Sequence, residues 1–131
     1  MLRIYVDAAT KGNPGPSGGG IVIVGDALHE QIHTFLGECS NHEAEFKVFI
    51  NALQLIIEKR QNNQTVLIHS DSKIVVQTIE KKHAKNPLFQ PYLHTFQELE
   101  SQFPLLLVKW LPESQNKGAD TLAKQALQKY S

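Results

Sequence analysis

"IYVDAATKGNPGPSGGGIVIV", Ile4 to Val24, is the stretch whose reading decides the fold. A β-branched run reaches an acid, Asp7. A loop dense in glycine and proline follows, and a second β-branched run closes the stretch. Apolar alternation marks Leu2–Val6 as a first strand and Gly18–Val24 as a second. A nucleotide-phosphate loop is excluded. The Walker A pattern needs a lysine directly after its last glycine, with a helix behind it. Here Lys11 precedes Gly12, the next element is a strand, and no G-x-G-x-x-G occurs. The loop is therefore a turn between strands. Gly12 and Gly15 stand where the backbone must bend or come close to a ligand. Its first duty is to leave Asp7 at the end of a strand.

Outward from this stretch, Leu28–Leu36 reads as a third strand, closing a hairpin around Gly25-Asp26. Asn41–Lys59 is a helix, because Phe46, Phe49, Ile50, Leu53, Ile56 and Ile57 recur at spacings of three and four. Thr65–His69 is a short buried strand. Ser72–Lys82 is a helix with Ile74, Val75, Thr78 and Ile79 inward. Leu88–Gln102 is a further helix and Leu105–Trp110 a last strand. Lys117–Tyr130 is the final helix, with Leu122, Ala123, Ala126 and Leu127 inward. The order β-β-β-α-β-α-α-β-α predicts an α/β fold: a mixed sheet of three antiparallel strands and then parallel crossovers, with helices on both faces. The 131 residues form one domain, 1–131.

Hydrophobic residues make up 41% and charged residues 20%, which supplies an ordinary core. The formal net charge is zero, so any nucleic-acid contact requires positive charge gathered on one face. Cys39 is the single cysteine; it forms no internal disulfide and suits a reducing compartment. The N-terminus reaches an acid too early for a signal peptide, and no apolar stretch approaches the roughly 20 residues that span a bilayer. A cytoplasmic monomer without membrane contact is expected.

Four acids stand at element ends. Asp7 closes the first strand, and Asp71 follows the fourth in "VLIHSDSK". Glu45 lies early in the long helix in "SNHEAEF", and Asp120 opens the last helix in "NKGADTLA". Parallel neighbouring strands would bring Asp7 and Asp71 to one sheet edge, where ligands of open α/β sheets bind. Each acid alone has a structural use: Asp71 as a helix N-cap, Asp120 as a complement to a helix dipole. Together they make a set of hard oxygen ligands suited to Mg²⁺ or Mn²⁺. Two such ions about 4 Å apart suit in-line displacement at a phosphodiester.

"VDAATKGNPGPSGGG", "SNHEAEF", "HSDSK" and "NKGADTLA" resemble, in order and spacing, the four acidic motifs of type 1 ribonuclease H. The resemblance covers Leu2 to about Tyr130. It implies the ribonuclease H-like fold, a five-stranded sheet with the first strand central. It also implies hydrolysis of the RNA strand of RNA–DNA hybrids, leaving 3′-hydroxyl and 5′-phosphate ends, with double-stranded RNA as a possible second partner. Asp7, Glu45, Asp71 and Asp120 then hold two Mg²⁺ (or Mn²⁺) ions as the catalytic and metal residues. Thr10, Gly12, Asn13, Asn41 and His42 are expected to read the substrate, the RNA 2′-hydroxyl included. Ser40 and Asn13 match positions that hold a DNA-strand phosphate in that family. Lys81, Lys82 and Lys85 stand where many members carry a larger basic protrusion, and are candidate hybrid contacts or a solvated helix end.

The chain departs from that pattern in three places. Ala8 follows the first acid where many members have glycine. Asn41-His42 stands for an Asn-Asn pair. Ten residues before Asp120, where members often carry a histidine, stands Trp110, which cannot shuttle a proton. A slower enzyme is expected, with Glu113 or Lys117 as partial substitutes.

Three rival readings remain. "HEQIH", His29–His33, matches the zinc-peptidase pattern H-E-x-x-H, which would need a helix; here the segment is needed as the strand beside "GGGIVIV". A binding module of the same fold with feeble turnover is favoured by Trp110 and His42 and opposed by four intact carboxylates. An acidic-cluster exonuclease on this fold is opposed by the G-N-P-G loop.

Overall fold

The computed structural model describes residues 1–130. Its elements are β1 (Leu2–Thr10), β2 (Gly15–Val24), β3 (His29–Cys39), α1 (Asn41–Glu58), β4 (Val66–Ser70), α2 (Lys73–Lys81), α3 (Gln90–Glu100), β5 (Leu106–Trp110) and α4 (Lys117–Tyr130), with a single 3-10 turn at Glu113–Gln115. The strands form one five-stranded sheet in the order β3-β2-β1-β4-β5, with β1 central. β1, β2 and β3 are antiparallel, while β4 and β5 run parallel to β1. Among the described residues no helix is long and apolar enough to cross a membrane.

The first strand is longer than the apolar alternation suggests. It runs through Asp7 to Thr10, because β2 already begins at Gly15 and the hairpin ladder continues to the pair Thr10 and Ser17. On its other side β1 pairs with β4 only as far as Val6 and Ser70. Asp7 is thus not at the end of its strand but one step beyond the last parallel rung, and Asp71 is one step beyond the same rung. The third strand likewise extends to Cys39, past a bulge at Ser17/Gly18.

Helices cover both faces, and the glycine run Gly18–Gly20 lets them come close. A Cβ on Gly19 would meet Val48 of α1 at 2.7 Å. A Cβ on Gly18 would meet the Leu127 nitrogen at 2.5 Å, and one on Gly20 the Ala119 carbonyl at 2.1 Å, both on α4. Since alternate residues of a strand face opposite ways, α1 and α4 press on opposite faces of β2. The α1 side holds the main core, with Phe49, Leu53 and Ile56 packed over Ile4, Val66 and Ile68, all fully buried. Within the α1 stripe Ile57 is only half-buried, and in α2 Val76 is buried while Ile74 is not. α3 joins this layer by ring contacts, Phe96 on Phe49 and Tyr92 stacked on Phe46.

The zinc-peptidase reading of His29–His33 fails on geometry. The segment is strand β3, with His29 opposite Val24 and His33 opposite Gly20. Four residue steps along a strand separate their Cα atoms by about 13 Å, too far to share one ion. Glu30 turns to the other face and pairs with Lys59, just past the end of α1, at 2.7 Å.

Candidate active site

The four acids reach the carboxyl edge of the parallel strands from four directions. Asp7 is 8% exposed. Asp71 sits in the β4–α2 turn; its N-cap alternative is overturned, since Ser72 caps α2, its hydroxyl accepting from the Val75 amide. Of the two glutamates in "SNHEAEF", Glu43 is taken up by structure. Ser40 caps α1, its hydroxyl accepting from the Glu43 amide at 3.2 Å and donating to the Glu43 carboxylate at 3.1 Å. The Tyr92 hydroxyl donates to the second Glu43 oxygen. Glu45, free of that duty, turns toward Ser72 and Asp71. Asp120 lies in the first turn of α4, whose backbone Gly20 admits beside the sheet. Gly20 is the register partner of Asp7, so that close approach sets Asp120 against Asp7.

Crowding of like charges shows in the protonation of the group. Burial and the neighbouring Asp71 raise the Asp7 carboxyl from 3.8 to about 8, and Asp120 at hydrogen-bonding reach adds to the rise. Burial also raises Glu45, with Asp71 adding to the rise while the Ser72 hydroxyl opposes it. Asp71 is raised mainly by burial, with a further push from Glu113; Asn116 and the Asp7 proton work against the rise. A group of acids held at this cost is a cation-seeking arrangement. Among the described residues no three His, Cys, Asp or Glu side chains stand together as a ready-made metal cage. The acids meet pairwise, Asp7 with Asp71 and Asp120, and Asp71 with Glu45. The donor set, hard carboxylate oxygens only, fits Mg²⁺ or Mn²⁺ in kind; enclosing an ion with three of them takes side-chain rotation.

Neutral residues hold the acids in place. Asn116 is 2% exposed; its amide donates to the Val6 carbonyl at 2.7 Å and also reaches Asp71. It therefore ties the start of α4 to β1 and to the turn that follows β4. Its only mark in the sequence is its place in N-x-x-A-D, and Gly20 carries no mark beyond being a glycine. Trp110 ends β5, where its indole N–H donates to the Asp71 carbonyl at 3.1 Å and Lys73 stands over its ring. Lys124 pairs with Asp120 at 3.0 Å.

The expected substrate-facing residues gather at the start of α1. Gly12 adopts a φ of +82°, a conformation that favours glycine, and a cis bond joins Asn13 to Pro14. The Asn13 side chain accepts from the Asn41 amide at 3.1 Å, joining the loop to the helix start capped by Ser40. The Thr10 hydroxyl is bonded to Ser17 at 2.8 Å. His42 is exposed and lies 3.7 Å from Glu45. Lys81, Lys82 and Lys85 lie elsewhere, exposed at the end of α2 and in the connection to α3. Lys81 and Lys85 line a cavity of about 340 Å³ that none of the four acids reaches.

A β3-β2-β1-β4-β5 sheet with this acidic edge defines a nuclease domain of the ribonuclease H type. The chain belongs to that family: the family described as reverse transcriptase-like matches residues 5–126. It is 68% identical over 130 residues to EbsB of Enterococcus faecalis, covering 99% of this chain and 96% of that one. It is 33% identical over 130 residues to the bifunctional protein Rv2228c of Mycobacterium tuberculosis, but spans only 35% of that protein's length. The N-terminal RNase H domain of that mycobacterial protein superposes with a TM-score of 0.85 at 28% identity, covering 96% of this chain and 98% of the domain. LC11-RNase H1, solved in complex with an RNA/DNA hybrid, superposes with a TM-score of 0.88 at 26% identity over 98% of both chains.

Proposed function

We propose that this protein is an endoribonuclease that hydrolyses the RNA strand of RNA–DNA hybrids, leaving 3′-hydroxyl and 5′-phosphate ends. The observation that carries the reading is the meeting of Asp7, Glu45, Asp71 and Asp120 at one sheet edge, with Asp7 raised to about 8 by burial and by its acidic neighbours. Those four carboxylates would hold two Mg²⁺ or Mn²⁺ ions. The chemistry such ions supply is activation of a water and charge balance on the departing 3′-oxygen.

The chain's own residues bind and orient. Gly12 lets backbone approach a strand closely, and the His42 amide, between the Asn41 and Glu43 amides taken up by Asn13 and Ser40, is offered to a phosphate. Asn13 and Ser40 hold that helix start rigid. His42, beside Glu45, offers a ring nitrogen toward a 2′-hydroxyl. Trp110 supplies no acid or base, so turnover is slower than in members with a histidine there.

The test incubates the protein with labelled RNA–DNA hybrid, duplex DNA and duplex RNA, each with Mg²⁺ or Mn²⁺. RNA cleavage confined to the hybrid, abolished by Asp71→Asn, is the expected result. Binding of the hybrid with no cut under either metal overturns the reading in favour of a binding module.

A further inference from the structure

The loop before α4 carries Trp110 where members of the family often carry a histidine, and neither residue expected to substitute for it supplies a cation to the acids. Glu113 is a further acid, close enough to push Asp71 up. Lys117, the exposed first residue of α4, stands within ion-pair distance of none of the four. Two side chains able to carry positive charge do reach them: His42, 3.7 Å from Glu45, and Lys124, 3.0 Å from Asp120. Among the described residues Lys124 is the only lysine or arginine that does so.

Helical periodicity puts it there. Asp120 lies in the first turn of α4 and Lys124 follows four residues on, so the two share a face. The neighbouring stripe of Ala119, Leu122, Ala123 and Ala126 is buried and seats the helix. Lys124, its side chain 68% exposed, takes no part in that packing. An exposed pair of this kind adds little to stability. Its interest lies in what else Asp120 touches. The Asp120 carboxylate is at hydrogen-bonding reach of Asp7, so it stands between the buried acid and the ammonium. Glu113 and Asp7 add their fields to that of Asp120 at Lys124. The ammonium is therefore placed by the acidic edge as a group.

We propose that Lys124 is the phosphate-binding cation of this site: it pairs with Asp120 while the acids hold no divalent ion, and donates to an oxygen of the scissile phosphate once they do. The inference rests on the nuclease reading above. Charge decides the exchange. Four carboxylates and two divalent ions balance formally to zero, so Asp120 ceases to draw the ammonium. A phosphodiester carries one negative charge, and the monoester left at the 5′ end carries about two. A positioned ammonium favours the more charged form without acting as acid or base. The flexible four-carbon stem of lysine allows the move.

Lys124→Met and Lys124→Arg are compared with the wild type, with Lys129→Met as a control on the same helix. Mg²⁺ is first titrated calorimetrically into each protein without substrate. Lys124→Met should bind it about two- to fivefold more tightly, because no ammonium competes for Asp120, and Lys124→Arg should match the wild type. Hybrid cleavage at saturating Mg²⁺ should show kcat about tenfold or more lower in Lys124→Met, with KM within about twofold. Most of that rate should return in Lys124→Arg, and none should be lost in Lys129→Met. Unaltered Mg²⁺ affinity in Lys124→Met overturns the hold on Asp120. An unaltered kcat, or a loss that Lys124→Arg does not repair, overturns the phosphate contact. A wild type that cuts no hybrid is the failure of the nuclease reading, and the phosphate contact falls with it; an active wild type matched by Lys124→Met sinks this inference alone.

Discussion

Asp7→Asn should remove activity and make the fold more stable, increasingly so as pH rises. Asp7 titrates near 3.8 when unfolded and at about 8 in the fold. Below 3.8 both states keep the proton and the carboxyl costs nothing. Between 3.8 and about 8 the unfolded chain releases its proton while the fold retains it, so wild-type stability falls across that window and levels off above it. At about 1.4 kcal/mol per unit the full span corresponds to about 6 kcal/mol, an upper limit because Asp71 and Asp120 share the proton's effect. A working figure is about 2–4 kcal/mol of difference gained between pH 5 and pH 8.5. The asparagine is nearly isosteric, carries no charge, and its amide can still donate to Asp71 and Asp120. Urea unfolding of both proteins in chelator, followed by far-UV circular dichroism, reads this as a midpoint gap that widens by about 1–2 M. Adding Mg²⁺ should stabilise the wild type at pH 8.5 and leave the variant nearly unmoved. A gap that is constant with pH, or a variant less stable at pH 8.5, would refute the crowding of carboxylates around Asp7.

Gly20→Ala should cost about 1–3 kcal/mol or more of stability, because its Cβ would meet backbone and α4 has to back away. Activity should fall further than stability at temperatures where the variant is folded, measured by hybrid cleavage beside thermal melts. Trp110→Phe keeps a ring under Lys73 but loses the N–H to Asp71; the amides of the Asp71–Ser72 turn should exchange faster with deuterium while the melting temperature changes little. His29→Ala should leave hybrid cleavage and zinc content unaltered, since His29 sits on a strand away from the acids. Ser40→Ala should cost about 1 kcal/mol through loss of the α1 cap and weaken binding of the hybrid, read by urea unfolding and by salt-dependent binding.

The acids were legible because each is a charged residue next to an apolar run, and strand order alone delivers two of them to one edge. Element order and the inward faces of α1 and α4 were legible for the same reason: burial writes a period into the sequence. What distances and partners decide was not legible. Nothing in "SNHEAEF" shows that Ser40 and Tyr92 occupy Glu43 and leave Glu45 to face Asp71. The end of β1 was misjudged because Asp7 breaks the apolar pattern while the hairpin ladder runs on to Thr10.

The run Gly18–Gly20 shows why such a site can be stable at all. Asp7 is held where its charge is disfavoured, so the fold must position it by contacts that do not depend on charge. Removing side chains from three successive residues of β2 lets α1 and α4 seat against the sheet from both sides. Asn116 then hydrogen-bonds the Val6 carbonyl just before Asp7, so the start of α4 is fixed by a neutral bond. Backbone approach and amide hydrogen bonding set the distance between Asp7 and Asp120, and the charges are carried there against their own repulsion. A mutation that loosens the helix seat therefore relieves the acids as it disables them. Gly20→Ala should lower the Asp7 titration point as well as the rate, whereas a change that merely unfolds the chain would do neither in the surviving native fraction.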